Sequence, residues 1–280
     1  AATPQLPSPE VIADDVARAL AEDLGSGDCT ARLIAPDTAF TTQVVCRESA
    51  VLAGQAWFEA AFRQLDDDIH IDWQVTDGDR LEADQLVCSL RGQARSILSG
   101  ERTALNFLQT LSGTASRAAH FVAAVAGTGV VILDTRKTLP GLRLAQKYAV
   151  LCGGGQNHRI GLYDAILIKE NHIAAAGSIT TAVTRAARDY PELLLEVEVE
   201  NLEQLEEAVT AGAGRVLLDN FNLNALETAV ERYKDRIGLE ASGGINLDTV
   251  RKVAETGVDF ISTGDITKSI QAIDFSMRFV

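Results

Sequence analysis

The strongest constraint on the fold is a repeat of apolar and amphipathic segments that begins near Gly129. Apolar segments lie at residues 130–134, 165–169, 193–199, 215–219, 238–241 and 260–263. The segments between them have helical spacing and predict helices at residues 142–151, 178–189, 202–211, 223–233 and 247–256. Near-continuous apolar strands that alternate with helices form a parallel sheet covered by helices. Because a complete barrel has eight strands, we predict an incomplete α/β barrel of about six to seven, with an open doubly wound sheet as the alternative.

The first hundred residues have a different pattern, which predicts an α+β sandwich domain. A helix begins after Ser8, a second covers residues 56–65, and strands are expected at residues 41–47, 49–54, 70–75 and 85–91. A helix from residue 99 to about 125, broken near Ser112-Gly113, would join the two parts. We therefore predict an N-terminal α/β sandwich domain at residues 1–112, with residues 268–280 as a candidate addition to it. A catalytic barrel would occupy residues 113–267.

Composition excludes several classes of function. The net charge of −14 argues against nucleic acid as a partner, because duplex binding needs a basic surface. We expect no membrane span, since no run of about 18 apolar residues occurs. Residues 1–9 lack the basic start and apolar stretch of a signal peptide, so a cytoplasmic location is expected. The four cysteines lack metal-binding spacing and are interpreted as reduced thiols.

Polar residues follow every predicted strand of the repeat, where α/β barrels carry their chemistry. Glu196 and Glu198 alternate with apolar residues, so both point to one face of their strand. A buried carboxylate is costly unless it is paired or binds a metal, and Lys137 and Lys169 are the expected partners. We interpret Glu198 and Asp219, at the ends of neighbouring strands, as a pair that holds ribose hydroxyls or Mg²⁺.

Cations cluster between the first two strands, against the overall negative charge. The cluster comprises Arg136, Lys137, Arg143, Lys147, Arg159 and Lys169. Arginine pairs with both oxygens of a planar carboxylate, whereas lysine suits phosphate as a compact charge. His158 is a further candidate ligand, while Arg143 and Lys147 are equally consistent with a solvated helix face.

The last two strands end in glycine-containing loops that predict a phosphate site. Their residues are Ser242, Gly243 and Gly244 on one strand and Ser262, Thr263 and Gly264 on the other. Backbone N–H groups in such loops bind phosphate, aided by the following helix. Together with the cations and acids, these loops point to a phosphosugar and a small molecule with several acid groups.

The same residues closely resemble the quinolinate phosphoribosyltransferase family. The matching motifs are Glu22-Asp23-Leu24-Gly25-Ser26-Gly27-Asp28-Cys29-Thr30, Gly100-Glu101-Arg102-Thr103-Ala104-Leu105-Asn106, Asp134-Thr135-Arg136-Lys137-Thr138-Leu139-Pro140-Gly141, Gly154-Gly155-Gln156-Asn157-His158-Arg159, Lys169-Glu170-Asn171-His172, Glu196-Val197-Glu198-Val199-Glu200, Leu218-Asp219-Asn220 and Ala241-Ser242-Gly243-Gly244-Ile245. The resemblance implies transfer of phosphoribose from 5-phosphoribosyl-1-pyrophosphate to quinolinate, with release of CO₂ and pyrophosphate, in NAD biosynthesis. It also implies a homodimer and Mg²⁺ as cofactor.

The resemblance implies a role for each site residue. Quinolinate would contact Thr135, Arg136, His158, Arg159 and Lys169, together with Arg102 from the neighbouring subunit. The phosphoribosyl donor would contact Lys137, Glu198 and Asp219, which carry the catalysis, and Mg²⁺ would lie near the two acids, directly or through water. The 5′-phosphate would lie at Ser242, Gly243, Gly244, Ser262, Thr263 and Gly264.

Two other functions remain open at this point. One is a phosphoribosyltransferase for a mono-acid such as nicotinate, although the number of arginines favours a diacid. The other is a protein that only binds an anion and performs no catalysis.

Overall fold

The computed structural model describes residues 4–280. Its helices are α1 (Pro9–Leu24), α2 (Gln55–Arg63), α3 (Ala94–Ala124), α4 (Arg143–Cys152), α5 (Glu170–Ala176), α6 (Ile179–Asp189), α7 (Leu202–Ala211), α8 (Leu223–Tyr233), α9 (Val250–Glu255) and α10 (Asp265–Lys268), with a 3-10 turn at Ala31–Leu33. Its strands are β1 (Ala39–Cys46), β2 (Ala50–Val51), β3 (His70–Trp73), β4 (Arg80–Leu81), β5 (Gln85–Gln93), β6 (Val131–Leu133), β7 (Ile166–Ile168), β8 (Leu195–Val199), β9 (Arg215–Asp219), β10 (Gly238–Ser242), β11 (Phe260–Ser262) and β12 (Phe275–Phe279).

The chain forms two compact units, and each unit consists of more than one chain segment. Within the described residues, the first contains residues 4–119, 139–154 and 269–280, and the second contains residues 120–138 and 155–268. In the first unit, an antiparallel sheet of order β12-β1-β5-β3 covers a core that includes Trp57, Phe58 and Phe62. Asp15 of α1 accepts the indole N–H of Trp57 at 3.0 Å, which gives this buried ring a polar partner.

Helix α3 is continuous, and the predicted break near Ser112-Gly113 is wrong. The helix runs for 31 residues, and its small residues at this point serve close packing. A Cβ atom at Gly113 would overlap the backbone oxygen of Gln271, and the Ser112 hydroxyl donates to the carbonyl of Ala53 at 3.2 Å. Glycine and serine here admit neighbouring backbone to the helix surface.

The second unit contains a six-stranded parallel sheet of order β6-β11-β10-β9-β8-β7. Strands β7 to β11 are neighbours in sequence order, and β11 then pairs with β6, the first strand of the unit. The sheet therefore curls back on its own start, as an incomplete barrel does. A doubly wound sheet reverses its strand order in the middle, so that alternative is wrong.

The opening of the barrel lies between β6 and β7. There Gln156 forms a single parallel bridge with Leu133, and its N–H donates to the carbonyl of Ile132 at 2.9 Å. Residues 157–164 then cross to the start of β7 as a loop without a helix or strand of their own. Because this loop starts beside the end of β6, its side chains reach the edge of the sheet where the strands end.

Register places the polar side chains of the second unit in layers on one face of the sheet. Glu196 lies opposite Arg215, and Glu198 and Glu240 both lie opposite Leu217. The Arg215 guanidinium stacks on the ring of Phe260, 4.0 Å from its centroid. Since Arg215 is in register with Glu196 and Phe260 with Glu240, this stack lies at the level of the two buried acids.

Within residues 4–280, none of the helices combines the length and the apolar surface needed to cross a membrane. The longest, α3, carries Arg95, Glu101, Arg102 and Arg117.

Candidate active site

A cavity of about 460 Å³ opens at the carboxyl ends of the barrel strands. It is lined by Thr135, Arg136, Lys137, His158, Arg159, Leu167, Lys169, Glu198, Leu217, Asp219, Glu240, Ser242, Gly243 and Ser262. All of these residues belong to the second compact unit. The cavity therefore collects cations, carboxylates and a glycine loop from separate strands at one place.

One side of the cavity carries two guanidinium groups. Partial burial lowers the pKa of Arg159, and the positive charge of neighbouring Arg136 lowers it further. Among residues 4–280, the buried Nε of Arg136 has no hydrogen-bond acceptor. Two like charges and a buried donor without an acceptor form a site that an anion would stabilise.

Two carboxylates also line the cavity. Oε2 of Glu198 forms an ion pair with Nζ of Lys169 at 3.0 Å, as predicted from the sequence. Partial burial raises the pKa of Asp219, and the nearby negative charge of Glu198 raises it further. The side-chain amide of Asn220 donates to Asp219 at 3.0 Å and orients its carboxylate. The pair therefore offers carboxylate oxygens whose mutual repulsion is only partly offset by Lys169 and Lys137.

Side chains hold the loop that carries Arg159. The backbone N–H of His158 donates to Asp134 at 2.8 Å, and the N–H of Arg159 donates to Nδ1 of His158 at 2.8 Å. The next two backbone N–H groups, at residues 160 and 161, donate to Asp164 at 2.7 and 2.8 Å. Four consecutive backbone donors thus bind side chains, which gives this loop one defined path without a strand ladder.

A buried acidic pair lies below His158. Its Nε2 lies 2.8 Å from Oε2 of Glu196 and 3.4 Å from Oε2 of Glu240, and the latter oxygen also lies 3.5 Å from Arg215. The prediction that Glu196 pairs with a lysine is therefore wrong. The physical reason is depth: Glu196 lies one layer below Glu198, away from the lysines at the strand ends.

The protonation of this cluster follows from burial and close pairing. Burial raises the pKa of Glu196 to about 7. Burial alone would lower the pKa of His158, whereas the neighbouring carboxylates of Glu196 and Glu240 raise it. A second proton on Nδ1 would point at the N–H of Arg159, only 2.8 Å away. That contact opposes the doubly protonated ring and favours the tautomer with its proton on Nε2.

The loop after β10 depends on Gly243. This glycine has φ of +99°, and a Cβ atom there would lie 2.7 Å from Cγ of Asn220 and still closer to its Oδ1. Asn220 itself has φ of +54°, and its backbone N–H donates to the carbonyl of Ser242 at 3.0 Å. The glycine loop and the residue that orients Asp219 are therefore packed directly against each other.

We expect Gly243→Ala to destabilise the protein and to weaken binding at the glycine loop. The positive φ alone costs about 1–2 kcal/mol for a residue with a Cβ, and the new methyl group must also displace Asn220. Gly177→Ala is the matched control, because Gly177 has nearly the same φ of +97° and open space around it. Urea unfolding and binding of inorganic phosphate should separate the two variants. Equal stability loss and equal binding would contradict the close contact.

Comparison with known proteins identifies the family. Residues 28–112 match the family description "Quinolinate phosphoribosyl transferase, N-terminal domain", and residues 114–278 match its "C-terminal domain". The chain belongs to the quinolinate phosphoribosyltransferase family. Among its relatives is the nicotinate-nucleotide pyrophosphorylase [carboxylating] of Mycobacterium leprae, 42% identical over 274 residues, which are 94% of this chain and 95% of that protein.

Two further relatives agree with this membership. A probable nicotinate-nucleotide pyrophosphorylase [carboxylating] of Bacillus subtilis is 40% identical over 257 residues, covering 91% of this chain and 89% of the relative. The solved structure of the nicotinate-nucleotide pyrophosphorylase from Francisella tularensis matches with a TM-score of 0.95 and 45% identity, over 99% of this chain and 98% of that one. The phosphoribosyltransferase fold thus extends over nearly the whole sequence.

Most residues that the family resemblance assigned to substrates line the cavity, but some do not. Gly244 lines a smaller neighbouring cavity, and Thr263 is buried, its hydroxyl donating to the carbonyl of Ile245 at 2.9 Å. The side chain of Lys137 packs against Gly264. A Cβ atom at Gly264 would lie only 2.7 Å from Cδ of Lys137. These residues support the glycine loops and the lysine beside them.

Three cations of the predicted set lie in the first compact unit. Arg102 is exposed on α3, and its role at a subunit interface stays a prediction. Arg143 and Lys147 belong to α4 of the same unit. A solvated position is wrong for Lys147, which is only 1% exposed because its side of α4 faces inward.

Glu240 and Asn220 are site residues that the sequence patterns did not predict. Glu240 has a signal of its own, since it alternates with Leu239 and Ala241 as Glu196 does with its neighbours. Asn220 was read only as a polar strand end. Its positive φ and its contact with Gly243 depend on the neighbouring strand and have no local sequence signal.

Proposed function

We propose that this chain transfers the phosphoribosyl group of 5-phosphoribosyl-1-pyrophosphate to quinolinate, with decarboxylation. The products are nicotinate mononucleotide, CO₂ and pyrophosphate, in NAD biosynthesis. The observation that supports this most strongly is one cavity whose lining combines the guanidinium groups of Arg136 and Arg159, the carboxylates of Glu198 and Asp219, and the glycine loop at Gly243. The membership in the quinolinate phosphoribosyltransferase family agrees with it.

Quinolinate binding is assigned to the cationic side. A dianion loses much hydration energy on entering a cavity, and paired guanidinium groups compensate for this loss through charged hydrogen bonds. Arg136 and Arg159 bind the carboxylates, and Lys169 lies between them and Glu198. His158 was assigned to the same substrate, but both of its ring nitrogens already face protein groups.

The phosphoribosyl donor is assigned to the acidic side and the glycine loop. Gly243, Ser242 and Ser262 line the cavity at the ends of β10 and β11, where backbone N–H groups can bind the 5′-phosphate. Lys137 lies beside them and suits the pyrophosphate as a compact charge. The donor thus places its anomeric carbon between Glu198 and Asp219 on one side and the quinolinate nitrogen on the other.

Mg²⁺ is part of this proposal. Carboxylate oxygens are its preferred protein ligands, and Glu198 and Asp219 repel each other, so a divalent cation fits the pair. When bound, Mg²⁺ supplies positive charge that stabilises the leaving pyrophosphate. We further propose a homodimer in which Arg102 reaches the partner's quinolinate site, and a cytoplasmic location.

The chemical step needs positioning and electrostatic stabilisation more than a protein nucleophile. Breaking the bond from C1 of the ribose to the pyrophosphate oxygen leaves oxocarbenium character at C1, which the carboxylate of Glu198 or Asp219 stabilises. The pyridine nitrogen of quinolinate, held by the arginines, then bonds to C1. The resulting pyridinium accepts the electron pair of the adjacent carboxylate bond, and CO₂ leaves. A proton from solvent completes the ring carbon.

We expect CO₂ release from quinolinate labelled in its 2-carboxylate, and only when Mg²⁺ and 5-phosphoribosyl-1-pyrophosphate are both present. Nicotinate in place of quinolinate should yield little pyrophosphate, because it lacks the second carboxylate that the cationic side binds. Faster use of nicotinate would instead assign a mono-acid transferase. Absence of pyrophosphate release with either acid would assign a protein that only binds anions.

A further inference from the structure

Both ring nitrogens of His158 are occupied by protein groups, although the ring lies at the wall of the cavity. Nδ1 accepts the backbone N–H of Arg159 at 2.8 Å, and Nε2 lies 2.8 Å from Oε2 of Glu196. The His158 side chain is only 9% exposed. Its ring therefore connects the backbone of Arg159 to the interior of the barrel.

The groups at the other end of this connection are fully enclosed. Glu196 is 1% exposed and Glu240 is 0% exposed, and they lie on β8 and β10, the two strands on either side of β9. Arg215 of β9 lies 3.5 Å from Glu240 and stacks on the ring of Phe260. Because barrel strands hold these side chains, their carboxylates form a rigid support.

We propose that Glu196 and Glu240 are positioning residues that hold the quinolinate-binding Arg159 in place through His158. This inference rests on the proposed function. The loop of Arg159 has no strand ladder, so its path is set by side-chain contacts, of which the one from His158 is the link to the barrel interior. Without the ion-pair contact of Nε2 with Glu196, one of the two contacts that fix the ring is lost, and Nδ1 no longer holds the N–H of Arg159 in one position.

A metal ion is the other occupant that such a group of three side chains could hold, since their ligand atoms lie within 4.8 Å of one another. Two contacts argue for positioning instead. An ion between them would replace the 2.8 Å contact of Nε2 with Glu196, and it would add positive charge near Arg215, which already lies 3.5 Å from Glu240. Binding of quinolinate measured in EDTA tests this directly, and the same affinity as in buffer alone is expected.

The main test compares Glu196→Leu with Glu196→Gln. Leucine fills a similar volume but removes the acceptor for Nε2 of His158, whereas glutamine keeps an acceptor at that place. We expect Glu196→Leu to raise the KM for quinolinate about tenfold or more, because a small displacement of a binding group costs this much. The KM for 5-phosphoribosyl-1-pyrophosphate should change less than about twofold, and Glu196→Gln should regain most of the lost affinity for quinolinate.

A double-mutant cycle shows whether the effect passes through Arg159. In an Arg159→Ala background, Glu196→Leu should raise the KM for quinolinate no further, because coupled residues are not additive. Additive effects, equal effects on both substrates, no rescue by Glu196→Gln, or loss of quinolinate binding in EDTA would each overturn the inference.

Urea unfolding reports on folding in this experiment, and CO₂ release by the unmodified protein reports separately on the proposed function. Removing one partner of a buried ion pair can strongly destabilise a protein, so urea unfolding checks that Glu196→Leu still folds. Should Glu196→Leu fail to fold, Glu240→Leu takes its place in the same cycle with the same expected direction, and Glu240→Gln is its conservative control. If the unmodified protein releases no CO₂ from quinolinate, the proposed function fails. If it does, and Glu196→Leu leaves the KM for quinolinate unchanged, only the positioning role fails.

Discussion

Arg159→Ala is expected to raise the KM for quinolinate about 10²-fold, while the KM for 5-phosphoribosyl-1-pyrophosphate changes little. A bidentate charged hydrogen bond contributes about 3 kcal/mol, and each 1.4 kcal/mol corresponds to about tenfold in affinity. Arg136→Ala should act in the same direction, since the two guanidinium groups influence each other and line the same side of the cavity. Steady-state kinetics with each substrate varied in turn measures the effect.

Arg188→Ala is the matched control for these variants. Arg188 lies in the same compact unit, is 73% exposed and pairs with its neighbour Asp189 at 2.7 Å. Its removal tests the loss of one positive charge without a change in the cavity, and no change in either KM is expected. An equal loss for both substrates in Arg159→Ala would count against a separate quinolinate site on the cationic side.

Glu198→Gln is expected to lower kcat by about 10²- to 10³-fold with little effect on folding. Removing one group that stabilises transition-state charge costs about this much, and glutamine cannot stabilise the positive charge that develops at C1. The ion pair of Glu198 with Lys169 is partly exposed, with the lysine side chain 46% exposed, so its loss should cost at most about 1 kcal/mol of stability. Single-turnover rates and urea unfolding measure the two effects separately.

Glu203→Gln provides the control for Glu198→Gln. Glu203 lies in the first turn of α7 and is exposed, so the same chemical change there leaves the cavity intact. We expect both kcat and stability to stay at their original values. A normal single-turnover rate in Glu198→Gln would remove this carboxylate from the chemical step and leave Asp219 as the stabilising group.

Much of the second unit could be predicted from local sequence patterns. A strand side chain alternates between two faces, so Val197 between Glu196 and Glu198 indicates that both acids share one face. Helix starts were equally local: the side chain of Asn201 accepts the N–H of Gln204 at 2.9 Å. Such signals depend on a few residues that are neighbours in the sequence, so they do not depend on the tertiary structure.

Helix α5 shows where local patterns fail. Residues 169–172 were interpreted only as a polar strand end, but the chain turns into a helix at Glu170. There the ring Nδ1 of His172 accepts the backbone N–H of Lys169 at 3.0 Å, which replaces the usual acidic residue of a capping box. Gly113 was misread for a different reason, because its role is to admit a backbone segment from the far end of the chain.

The amino-acid sequence alone determined the alternation of strands and helices, the face on which each acid lies and the family to which the chain belongs. Tertiary structure alone decided that β11 pairs with β6, that Glu196 pairs with His158 rather than with a lysine, and that Gly243 packs against Asn220. The reason is physical. Periodicity orients a side chain relative to its own strand or helix, whereas its partner and its depth in the barrel depend on which distant segments lie beside it.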